Sequence, residues 1–140
     1  MTDYLARETR ILSGDFDSDV ALLKQIFHRD ATFRTREFCA GTGHRCALLY
    51  LDGMVNNQLM NLSIVRPLML AESLTGDPAS DAAQRILFSN DVKETAQLQE
   101  LLRGILYGDS VLLIESSSRV KRTEYVLVTI PELIRFVSGA

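Results

Sequence analysis

The stretch "RCALLYL", residues 45–51, constrains the fold most: seven residues of strand length, apolar except for Arg45, without polar alternation. Such a run suits a strand at the buried centre of a sheet. "SVLLIE" reads as a second buried strand, and "EYVLVTI" as a third after the polar link "SSSRVKR". That link is too short for a crossover helix, so the sheet is expected to be mixed rather than purely parallel. "ATFRTREF" alternates imperfectly and predicts a further strand.

Helical periodicity appears between these runs. In "DFDSDVALLKQIFHRD", Phe16, Val20, Leu23 and Phe27 recur at four, three and four residues. Asp15, Asp17, Ser18 and Asp19 favour its N-terminus by capping and by opposing the helix dipole. In "NDVKETAQLQELLRGILYGD", Leu98, Leu101, Leu102, Ile105 and Leu106 form an apolar stripe, with Asn90 or Asp91 as cap and Gly108 as stop. Val55, Leu59, Leu62 and Met69 lie at roughly helical spacing in a segment that Pro67 should bend, or divide into two helices. "RILFS" fits a short strand or a last helical turn, and Pro131 opens a terminal helix, "PELIRFV". The expected fold is α/β: a mixed sheet packed with amphipathic helices, as a single compact domain over 1–140.

Composition narrows the function. Apolar residues at 46% and charged residues at 24% are ordinary for a globular chain, which excludes disordered and fibrous classes. Fifteen Lys and Arg are scattered among eighteen Asp and Glu, for a net charge of -3, so nucleic acid is not an expected partner. The cluster Arg119, Lys121 and Arg122 reads as a solvated loop or strand edge. The opening "MTDYLARETR" has no signal-peptide character, and no apolar run reaches the length of a membrane span.

The chemistry-bearing candidates are few. Asp52 leaves an apolar strand, but the haloacid dehalogenase arrangement needs a second carboxylate two residues away, and Tyr50 and Met54 stand there. A receiver domain needs an acidic pair near its first strand, whereas Asp15, Asp17 and Asp19 open a helix. Cys39, His44 and Cys46 do not match a common zinc spacing and lack a fourth ligand, and "AGTGHR" precedes a strand rather than a helix. No catalytic residue, metal or cofactor is assigned. A turn role is preferred for Asp52, with Gly53 at positive φ. The amide-rich helix that follows supplies the ligand- or partner-binding candidates Asp52, Asn56, Asn57, Asn61 and Arg66.

Taken in order, "IFHRDATFRTREF", "CALLYLDGMVNNQLMNLSIVRPLM" and "ILYGDSVLLIE" resemble the N-terminal soluble domain of the A subunit of bacterial spore germinant receptors, the GerA family. In that family a strand ending in Asp-Gly leads into a helix rich in Asn and Ser that finishes near Pro-Leu-Met. The matching residues are Tyr50 to Gly53, Asn57 to Ser63, Pro67 to Met69 and Leu106 to Ile114, and the resemblance spans about 15–115. It implies a non-enzymatic receptor subunit that takes part in assembly or signal transmission, with B- and C-type subunits as partners. It also implies a place on the cytoplasmic side of the inner spore membrane, with attachment through family segments absent here. After residue 115 the family's Glu-Pro and Arg-Gly-Pro segments are missing. A second reading is a small-molecule-binding α/β sensor, in which Asp52, Asn56, Glu115 and Ser116 converge on one pocket at the strand ends.

Overall fold

The computed structural model describes residues 10–55, 57–74, 78–86, 93–95, 97–115 and 127–129. Helix α1 (Phe16–Ile26) leads into the hairpin β1 (Phe33–Cys39) and β2 (Arg45–Leu51). A helical segment over 57–70 follows, as α2 (Asn57–Met60), the π-helical turn π1 (Asn61–Val65) and α3 (Arg66–Leu70). Then come α4 (Pro78–Asp81), π2 (Ala82–Ile86), β3 (Lys93–Thr95), α5 (Leu98–Tyr107), β4 (Val111–Ile114) and β5 (Leu127–Thr129).

The strands form one sheet in the order β1-β2-β4-β5-β3. Every described pairing is antiparallel, so the α/β layering stands but the expected mixing of strand directions does not. A buried apolar run has no polar alternation to mark its direction, and β2 and β4 run oppositely, with Cys46 facing Ile114 and Leu49 facing Val111.

The apolar character of β2 follows from burial on both faces. Ala47, Leu49 and Leu51, with Val111 and Leu113, pack under α1 and α5 against Phe16, Val20, Leu23, Leu101, Leu102 and Ile105. Cys46 and Leu48, with Leu112 and Ile114, meet Met60, Ile64, Val65, Leu68 and Ala82 on the other face. The sheet thus has a helical layer on each side, and a strand at its centre has no solvent-facing position to spend on polar residues.

Local signals explain where α1 begins and where α5 ends. Asp15 caps α1 by accepting the Ser18 amide at 3.0 Å, and its carboxyl titrates below the usual range through its bonds to the Ser18 hydroxyl and amide. Past α5, Gly108 takes a left-handed φ of 95°. The Asp109 amide reaches Gly104 O at 2.8 Å and the Gly108 amide reaches Ile105 O at 3.0 Å, the paired bonds of a Schellman cap.

Two expectations change. The helix predicted from residue 90 begins at Leu98, where its apolar stripe begins, and Lys93–Thr95 instead forms an edge strand on β5. Asn90 and Asp91, the expected caps, lie outside the described residues, as do 131–140 and the basic cluster near 120. In the 57–70 segment the buried stripe is Met60, Ile64 and Leu68, while Leu62 and Met69 are half-exposed. The physical reason is the wide turn at π1, closed by the Arg66 amide on Asn61 O, which keeps residues four apart in line. It sits just before Pro67, whose missing N–H and bulky ring disfavour ordinary α-helical bonding there. A second helical stretch does begin at Arg66, with the proline in its first turn. Arg85 and Ile86 of "RILFS" belong to π2, and residues 87–89 are outside the described set.

Candidate functional site

The site candidates lie along 57–70 and the strand beside it. Leu51–Met54 is a turn closed by the Met54 amide on Leu51 O at 3.2 Å, with Gly53 at φ +87°. Asp52 is therefore a turn residue, and its own amide bonds Thr32 O at 2.7 Å. Its carboxylate stands 3.6 Å from the Arg34 guanidinium, with both side chains about half exposed (48% and 49%), an ion pair that solvent screens heavily. Asn56 lies outside the described residues.

Asn57, Asn61 and Arg66 are exposed, as is Gln58. Asn61 accepts a hydrogen bond from Arg36 of β1 through its side-chain oxygen. Further along, the Gly41 amide in the β1-β2 loop donates to Leu68 O at 2.9 Å. The approach there is so close that a Cβ on Gly41 would lie 2.5 Å from Ala71 O and 2.6 Å from Met69 O. The hairpin therefore holds the segment at its middle and near its end, through Asn61 and Leu68. Along the same segment Leu62, Met69 and Leu70 expose apolar surface. Carboxamides, one guanidinium and apolar side chains on a braced helical face are suited to contacting another macromolecule.

The strand-end pocket does not form from Asp52 and Glu115. Because β2 and β4 are antiparallel, these residues leave opposite ends of the sheet, about 20 Å apart for a strand of this length. Glu115 is engaged elsewhere: Arg45 Nε donates to it at 3.1 Å while the same guanidinium bonds both Asp17 oxygens at 3.0 Å. The Arg45 group also lies over the Phe16 ring, 4.8 Å from its centre, and its pKa is raised by Glu115 first and then Asp17. Ser116 is outside the described residues.

The remaining candidates have structural roles. Cys39 and Cys46 project from opposite faces of the hairpin, because Cys46 is registered with Phe38 and Cys39 with Arg45. Cys46 is buried, and burial pushes its thiol up to about 12. His44 Nδ1 is 2.6 Å from Thr42 Oγ1 within the hairpin loop. Asp19, expected to act on the helix dipole, is buried. It accepts the Ser13 amide at 3.1 Å, the Ser13 hydroxyl at 2.9 Å and the Gly14 amide at 3.2 Å. Among the described residues no helix is long and apolar enough to cross a membrane.

The family model for the Bacillus/Clostridium GerA spore germination protein matches residues 21–128, which takes in both β2 with its turn and the braced segment. The chain belongs to the GerA spore germination family. Its fold is also that of a solved structure, the N-terminal domain of the A subunit of the Bacillus megaterium spore germinant receptor GerK3. The two superpose with a TM-score of 0.69 at 18% identity, over 89% of this chain and 48% of the other. This GerA-family chain thus spans about half the length of that domain. No curated protein matches it.

Proposed function

We propose that the chain is a non-enzymatic domain, residues 1–140, of a germinant receptor A subunit, acting in receptor assembly or signal transmission during nutrient-triggered germination. The family match over 21–128 carries this reading. The exposure of Asn57, Gln58, Leu62 and Arg66 supports it, since these side chains are available to a partner subunit. B- and C-type subunits are the proposed partners, on the cytoplasmic side of the inner spore membrane.

In this mechanism a partner seated on the 57–70 face shifts that segment against the β1-β2 hairpin. Arg36-Asn61 and Gly41-Leu68 then carry the displacement into the sheet. The test is co-purification of the chain with co-expressed B- and C-type subunits. Retention of the wild-type chain and its loss in Leu62→Arg/Arg66→Glu, with unchanged melting, is the expected result. A wild-type chain that neither subunit retains overturns the proposal.

A further inference from the structure

A separate feature of the fold, among the described residues, is the open edge of the sheet at β1. In the hairpin the Ala40 amide bonds His44 O at 2.8 Å, and at the other end the Asp52 amide bonds Thr32 O at 2.7 Å. With the continuous register from Phe33-Leu51 to Cys39-Arg45, this parity directs the backbone groups of Arg34, Arg36 and Phe38 towards β2. Those of Thr35, Glu37 and Cys39 point away from the sheet, where β1 is the terminal strand. Among the described residues these outward amides and carbonyls have no partner. β1 has seven residues, with neither a proline nor a bulge to blunt its edge.

The side chains decide which strand this edge accepts. Two copies of β1 paired antiparallel through their outward groups over at least five residues meet in one of three registers. Centred on Thr35, Arg34 faces Arg36; centred on Arg36, that arginine faces itself; centred on Glu37, the two carboxylates face each other. Each register opposes like charges, which disfavours self-association. Arg34 and Arg36 project from one face of the strand, two residues apart, and both are exposed. Neither has a close carboxylate: Arg36 is bonded to a neutral carboxamide, and Arg34 donates to the Ala31 and Phe33 carbonyls while its contact with Asp52 is long and half in solvent.

We infer that β1 is a docking edge for an extended acidic segment of another protein, added antiparallel to the sheet. Carboxylates two residues apart on that segment face Arg34 and Arg36, and small hydroxyl side chains face Thr35 and Glu37. Main-chain bonds to the outward groups supply the attachment, and the arginine pair supplies selectivity.

The probe is a blocked, fluorescent seven-residue peptide of alternating threonine and glutamate, compared by anisotropy with its threonine-lysine counterpart. Amide exchange of the 140-residue chain is followed in parallel by NMR. The expected result is saturable binding of the glutamate peptide alone, with exchange slowed at Thr35 and Glu37. Arg36→Glu, with melting unchanged, weakens it about tenfold or more, as loss of one charge-assisted contact predicts. Thr35→Pro removes an outward donor without touching the β2 ladder and also weakens binding. Equal binding of both peptides, unaltered exchange at Thr35 and Glu37 in the saturated complex, or no binding at millimolar peptide overturns the inference. Slowed exchange at those amides with rising protein concentration and no peptide also overturns it, in favour of self-pairing.

Discussion

Gly53 and Gly41 are required for different reasons. Gly53 has open space around it but a φ of +87°, so a side chain there is strained whatever its size. Gly53→Val is predicted to cost about 1–2 kcal/mol or more, read by denaturant melting. Gly41 instead lies against the carbonyls of Met69 and Ala71, and Gly41→Ala is predicted to cost about 1–3 kcal/mol by forcing the hairpin off the helical segment. Asp52→Asn, which removes only a screened ion pair, should change stability by less than about 0.5 kcal/mol. The turn at Asp52-Gly53 was legible in the sequence because its dipeptide carries backbone information. The buried role of Asp19 was not, since its partners come from the preceding loop.

Cys46 links residue chemistry to pH. Its folded pKa, about 12, is raised by burial above the ordinary value of 9.0. The folded state therefore favours the neutral thiol: its contribution is full below pH 9 and is lost as pH rises from 9 towards 12. Melting temperature should fall over that window, and less steeply in Cys46→Ala. A thiol reagent at neutral pH should modify exposed Cys39 quickly and reach Cys46 only on unfolding.

At the scale of elements, periodicity was informative where period and cap agreed. In α1 the stripe Phe16, Val20, Leu23 and Phe27 is wholly buried, and the aspartate before it is the cap. Along 57–70 the assumed α-period selected Leu62 and Met69, because the wide turn that moves them to the surface leaves no mark on hydropathy. Strand direction was likewise hidden in runs buried on both faces, which left open the alternative of a shared pocket for Asp52 and Glu115 although they leave opposite ends of the sheet. The central helix-sheet contact is itself testable. Leu102 is fully buried under the sheet, and Leu102→Ala should destabilise the chain by about 2–5 kcal/mol in equilibrium unfolding.

For the whole molecule, the family is established and the face through which the domain acts is the proposal. The ordered motifs around β2, the 57–70 segment and α5 pointed to the GerA family from sequence, and the family match over 21–128 agrees. The braced face itself was visible in sequence only as a cluster of Asn57, Asn61 and Arg66, because its bracing comes from Arg36 and Gly41 on the hairpin. The most direct test places a photo-crosslinking side chain at position 62, on that face, or at position 107, on a helix packed against the opposite side of the sheet. The chain is then produced together with B- and C-type subunits. A crosslink to one of those subunits from position 62 and none from position 107 is the expected result. Crosslinking from position 107 alone, or from neither position, contradicts it.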